Sequence, residues 1–156
     1  MRVVAVVMLI VACVAGAAVA QVSGVYDTSN VQWEREVDIR AGFLRYMPER
    51  AANEQLSGAA SVCCTVDRSR RLDCVTARET QEGYGFGQST VRFMRLYQMT
   101  DASYAAWQAD PRPIARTMNW HFGNPDPQRD ARFAQFRSES AGLCTASSSQ
   151  SDGTAR

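Results

Sequence analysis

Charge of one sign is what this chain of 156 residues has least of: 17 Lys+Arg stand against 16 Asp+Glu, for a net charge of +1. So balanced a surface creates no field to gather a polyanion, which sets nucleic acid aside as a partner. Histidine is almost absent too. His121 stands alone, and no C-x-x-C pair exists, so the short-spaced chelating pair that metal sites usually use is missing. No Ser-His-Asp spacing is readable either, so neither a catalytic residue nor a cofactor is expected, and the chain does not read as an enzyme. Proline is sparse, at five residues, and no Pro-rich run follows residue 20, so no stiff extended spacer is expected there. Internal repeats are missing. What remains, 46% hydrophobic and 21% charged, suits one small globular domain.

The first segment, MRVVAVVMLIVACVAGAAVA, has one arginine, an apolar middle and a small-x-small end at Ala18-Val19-Ala20. That is the pattern of a secretory signal peptide cleaved after Ala20. Residues 3–20 also reach the length of roughly 18 apolar residues that makes a membrane-span candidate, so an uncleaved anchor in an inner membrane is the alternative. Both readings export the rest, to a periplasmic or secreted location. Residues 21–30 are polar and irregular.

Export places the cysteines in an oxidising compartment. With Cys13 removed, Cys63, Cys64, Cys74 and Cys144 remain, an even set with three possible pairings. The local pattern narrows the choice. From Gly58 the period is two, with Ala60, Val62, Cys64 and Val66 on one face and Ser61, Cys63, Thr65 and Asp67 on the other. A polar break at Arg68-Ser69-Arg70-Arg71 precedes a second strand over 72–79, so the two form a hairpin. A turn centred on Ser69 sets Cys64 opposite Cys74, at a separation a disulfide can close. Cys63 points to the other face, which leaves Cys63–Cys144 as a staple from the last helix to the sheet. The basic turn itself reads as a hydrated hairpin tip.

Elsewhere the pattern is helical. Trp33, Val37, Ala41 and Leu44 fall at helical spacing, and residues 47–55 read as a short helix with a turn starting at Pro48. Val91, Phe93, Met94, Leu96 and Tyr97 make an apolar helical stripe that runs through Met99, with a helical extension near 104–107. Residues 114–122 alternate again, a third strand, with Trp120 and Phe122 assigned to the core. Asp126-Pro127 opens a last helix within a 123–144 extension, and 145–156 is a polar tail expected to be disordered. The fold class is therefore α+β, a small three-stranded antiparallel sheet with helices packed on one face.

Between the second strand and the following helix stands Gly83-Tyr84-Gly85-Phe86-Gly87. The spacing is G-x-G-x-G rather than the G-x-G-x-x-G of a dinucleotide loop, and it follows the second arm of a hairpin rather than the first strand of a parallel unit. Gly83, Gly85, Phe86 and Gly87 thus read as a structural corner, with Phe86 a plug between helix and sheet. Glu79 and Glu82 read as part of a solvated loop.

Pro48-Glu49-Arg50-Ala51, Gly58, Cys64-Thr65-Val66, Leu72, Cys74, Glu79 and the glycine corner follow one another in an order that resembles the C-terminal domain of TonB-like energy transducers, over roughly residues 31–122. The resemblance implies a TonB C-terminal-like fold and a role in transmembrane transport. In that family the last strand is a sheet edge that accepts an extended segment of an outer-membrane transporter. Transferred to this chain, the partner is an envelope protein such as a TonB-dependent transporter, and Arg116, Asn119 and His121 are the candidate partner-binding residues. An edge left open also allows a homodimer. The alternative reading is a disulfide-stapled structural protein of the envelope that contacts no transporter.

Overall fold

The computed structural model describes residues 24–35, 38–140 and 142–146. The apolar leader at 1–20 and the tail from 147 lie outside the described residues. In chain order the first elements are β1 (Trp33–Arg35), α1 (Ile39–Tyr46), α2 (Glu49–Asn53), β2 (Gly58–Val66) and β3 (Leu72–Glu79). Then follow α3 (Phe86–Met94), β4 (Gln98–Met99), α4 (Asp101–Ala109), β5 (Ile114–Trp120), α5 (Pro127–Ser140) and α6 (Leu143–Ala146). The fold is α+β. β2 is the middle of a three-stranded antiparallel sheet ordered β3-β2-β5, and β1 and β4 form a separate two-stranded ribbon.

The hairpin register is the expected one. Cys64 faces Cys74 with their Cα atoms 3.9 Å apart, and the two are disulfide-bonded. Cys63, one residue earlier, points to the opposite face and bonds Cys144, 81 residues away. The alternation of a strand thus sends two neighbouring sulfurs to two different staples. Two disulfides mark an oxidising compartment as the place where this chain folds. Among the described residues no helix is long and apolar enough to cross a membrane.

The hairpin turn has no glycine. Arg70 adopts the left-handed conformation instead, at φ 65°. The Asp67 carboxylate holds the turn by accepting hydrogen bonds from the Ser69 and Arg71 N–H groups at 2.8 and 2.9 Å. Arg70 is not a free basic tip. Its guanidinium reaches the Met99 carbonyl at 3.1 Å and the carboxylates of Glu34 at 2.6 Å and Asp101 at 3.2 Å. It clasps the β1–β4 ribbon to the hairpin.

One face of the sheet carries the main core. Val62, Cys64, Leu72, Ile114 and Trp120 meet Phe86 and Phe93 of α3 there, all but fully buried. Burial of each such large side chain contributes about 1.5–3 kcal/mol. Trp120 Nε1 donates to Thr90 Oγ1 at 3.0 Å, which satisfies its one polar atom inside the core. Phe43 of α1 lies 5.1 Å from the Trp120 ring. The corner before α3 works as the sequence suggests: Gly85 is left-handed at φ 81°, and Phe86 is fully buried against Gly58, where a Cβ would collide with its ring. Glu79, read from the sequence as a solvated loop residue, accepts the Gly87 N–H at 2.6 Å and so caps the start of α3.

Helices α1 and α3 cover the core face, and the C-terminal helices occupy the other. Phe133 and Phe136 of α5 bury against Ala59, and Arg78 of β3 binds Glu139 at 2.8 Å. α5 therefore runs from the end of β5 across to β3 and does not lie along the outer edge of β5. α6 extends to Ala146, two residues into the expected tail.

Three expectations are corrected. Trp33 does not begin a helix: it pairs with Met99 in the ribbon. Nor is Leu44 on a buried stripe, being 82% exposed; α1 instead turns Phe43 and Tyr46 inward. The four-residue spacing that suggested one helix spans a strand and a helix, so it had no common face. β4 was read as the end of a helical stripe, because a two-residue strand has no period to detect.

Candidate functional site

The site grows from the position of β5. It pairs only with β2, so one of its two edges presents unpaired backbone groups, and no other described strand joins it. Register fixes where its side chains go. Ile114, Arg116, Met118 and Trp120 stand opposite Cys64, Val62, Ala60 and Gly58 on the core face. Ala115, Thr117 and Asn119 stand opposite Cys63, Ser61 and Ala59 on the α5 face.

A cavity of about 530 Å³ is bordered by Arg116, Thr117, Met118 and Asn119 in succession. Four consecutive residues of a strand alternate between faces, so a cavity touching all four follows the strand's edge rather than either face. Its far wall is Thr28, Ser29 and Val31, and its floor includes Trp33, Phe93 and Tyr97. The far wall is held at both ends. The Tyr26 N–H donates to the Pro113 carbonyl at 2.8 Å, just before β5, and the Gln32 N–H donates to Ser103 Oγ at 2.9 Å. Between those anchors the segment departs from β5 and leaves a slot.

The three residues proposed from the sequence lie along this edge without forming one cluster. Arg116 lies within the slot, half-buried, with its guanidinium 5.6 Å from the Trp33 ring centre. Burial lowers its pKa from the ordinary arginine value. Asn119 borders the slot and also a second cavity of about 430 Å³. Its Oδ1 is buried and accepts no hydrogen bond from the described residues. His121, exposed, lies just beyond β5 in the second cavity, with Arg129, Asp130 and Arg137. Its ring meets Phe133 edge-on at 5.2 Å. Burial first, and the Arg129 charge second, lower its pKa, while Asp130 opposes them. Trp120 is core, as assigned.

Sequence reasoning missed Trp33 as the floor of the slot, the wall at 28–31, and Arg129 and Arg137. The wall carries no pattern beyond polarity. The two arginines are eight positions apart on one helix face, a spacing that was readable.

β3 is the other edge of the sheet, and the two edges differ. β3 carries Asp73, Arg78 and Glu79, and its pairing with β2 is broken by an irregularity at Ser61/Val62. Charges and bulges are the ordinary means of blunting an edge. β5 carries one charge, Arg116, its third residue, and has a pre-walled slot beside it. Comparison of the chain with models of known protein families, with curated proteins and with solved structures finds no match.

Proposed function

We propose that this chain is an exported binding module that accepts an extended segment of an envelope protein as an added strand on β5. The observation that carries the reading is the slot following the unpaired edge of β5 through Arg116–Asn119. Backbone pairing would supply affinity, and the slot's side chains would supply selection. The order of motifs that resembles TonB-like transducers supports an outer-membrane transporter as the partner class and transport as the process served. The disulfides and the leader-like first segment support a periplasmic or secreted location. No residue is assigned chemistry.

A photo-crosslinker placed at Asn119 in the exported protein tests this, with the same probe at Val75 on β3 as the comparison. The expected result is an adduct from position 119 that maps to one contiguous segment of an envelope protein, and little from 75. Adducts from 75 alone, or from neither position, would count against the reading.

A further inference from the structure

We infer that the segment received by β5 is acidic, with a side-chain carboxylate seated against Arg116 inside the slot. The inference rests on the strand-addition reading above and adds the chemistry of the partner.

The first argument is the company Arg116 keeps. Among the described residues it is the sole charged one bordering the slot. Other arginines with comparably shielded side chains have acids beside them: Arg70 has Glu34 and Asp101, Arg112 has Asp110 at 2.8 Å, and Arg129 has Asp130 at 3.6 Å. Arg116 has an aromatic ring and no carboxylate among the described residues. A ring partner leaves the guanidinium edge and its planar fork of donors free for a carboxylate. Shielding from water strengthens the pairing when it forms.

The second argument is reach. On an added antiparallel strand, the residue opposite Arg116 places its Cβ roughly 4.5–5.5 Å away on the same face, within range of an Asp or Glu side chain. A chain terminus is a poorer source of the carboxylate. Arg116 is the third of the seven residues of β5, so a segment ending there would leave part of the edge unpaired.

The third argument is what lies further along. Past Asn119 the second cavity adds Arg129 and Arg137 against one acid, Asp130. Among the described residues both cavities beside β5 thus carry a net positive charge, in a chain whose net charge is only +1. Basic residues in a docking segment would meet like charge at both places.

The test uses the full exported chain and three synthetic peptides that match β5 in length, seven residues. They alternate Thr and Val and differ only at the fifth position, which falls opposite Arg116 on a full-length antiparallel strand, as Glu, Gln or Lys; binding is read by fluorescence anisotropy. The Glu peptide should bind on the order of tenfold tighter than the Gln peptide, and the Lys peptide weakest. The advantage of Glu should shrink with added salt. Arg116→Gln should erase the difference between Glu and Gln while both still bind, and Arg116→Lys should keep part of it. Equal affinity for Glu and Gln in the unmutated chain would overturn the inference and leave strand addition standing. Binding of none of the three would remove both. Displacement of the Glu and Gln peptides alike by a soluble polyanion would also overturn it, pointing to nonspecific charge. The comparison on the unmutated chain decides even if a variant fails to fold.

Discussion

Cys63 and Cys144, 81 residues apart in sequence, bring their Cα atoms to 5.3 Å and so tie α6 to the face of β2 opposite the main core. That face has a small apolar cluster of its own, Ala59 with Phe133 and Phe136, far smaller than the cluster around Trp120. The disulfide therefore adds a covalent attachment to a modest packing one.

Replacing both Cys63 and Cys144 with Ser should lower stability by about 2–4 kcal/mol, as expected for release of a long loop. The loss should show in denaturant midpoints. Exchange of amides in α5 should quicken while the β2–β3 hairpin, still held by Cys64–Cys74, stays protected. An unchanged midpoint would mean that packing alone holds the C-terminal helices.

The glycine corner is a matter of space as well as of backbone angle. Gly58→Ala puts a methyl group into the Phe86 ring and should cost about 1–3 kcal/mol by overpacking. Gly85→Val forces a β-branched residue to φ 81° and should cost a similar amount through strain. Thermal melts check both, and a neutral Gly58→Ala would show that Phe86 moves aside freely.

Arg70 couples the hairpin tip to the ribbon. Arg70→Ala should speed amide exchange in β1, β4 and the start of α4 while the sheet stays protected, because its three polar contacts all lie on that side. If exchange there is unchanged, the backbone contacts, the Arg71–Gln98 bridge and the Met99 N–H on the Arg70 carbonyl at 2.9 Å, hold the ribbon without the side chain.

His121 gives a pH signature. Its folded pKa is lowered from the ordinary histidine value, by partial burial first and by Arg129, with Asp130 opposing and Phe133 against the ring. The fold therefore favours the neutral ring, and the unfolded chain takes up its proton first as pH falls. Stability should be full above the unfolded value and decline between about pH 7 and pH 5. His121→Gln should flatten that part of the melting profile. A wild-type profile already flat over that range would contradict the assignment.

What the sequence made legible is what had a period. The hairpin was readable because β2 alternates over nine residues and the spacing of Cys64 and Cys74 matches one turn. β5 was readable for the same reason, and with it the positions of Arg116, Asn119 and His121. The slot was not. Its far wall is a polar segment whose place depends on hydrogen bonds from the Tyr26 N–H to the Pro113 carbonyl and from the Gln32 N–H to the Ser103 hydroxyl, and no local pattern encodes such contacts. Trp33 was misplaced because a three-residue strand is too short to show alternation, while a coincidental four-residue spacing mimicked a helix. The same holds for Arg70, whose clasp forms only once distant elements have met.

The most direct measurement is amide hydrogen exchange, read residue by residue along β5 in the free protein and again with the Glu peptide bound. An open edge predicts alternation: the amides that face β2 exchange as slowly as the sheet's centre, and the intervening ones exchange quickly until the peptide slows them. Uniform protection along β5 before any partner is added would contradict the account, as would a fast set that stays fast once the peptide is bound.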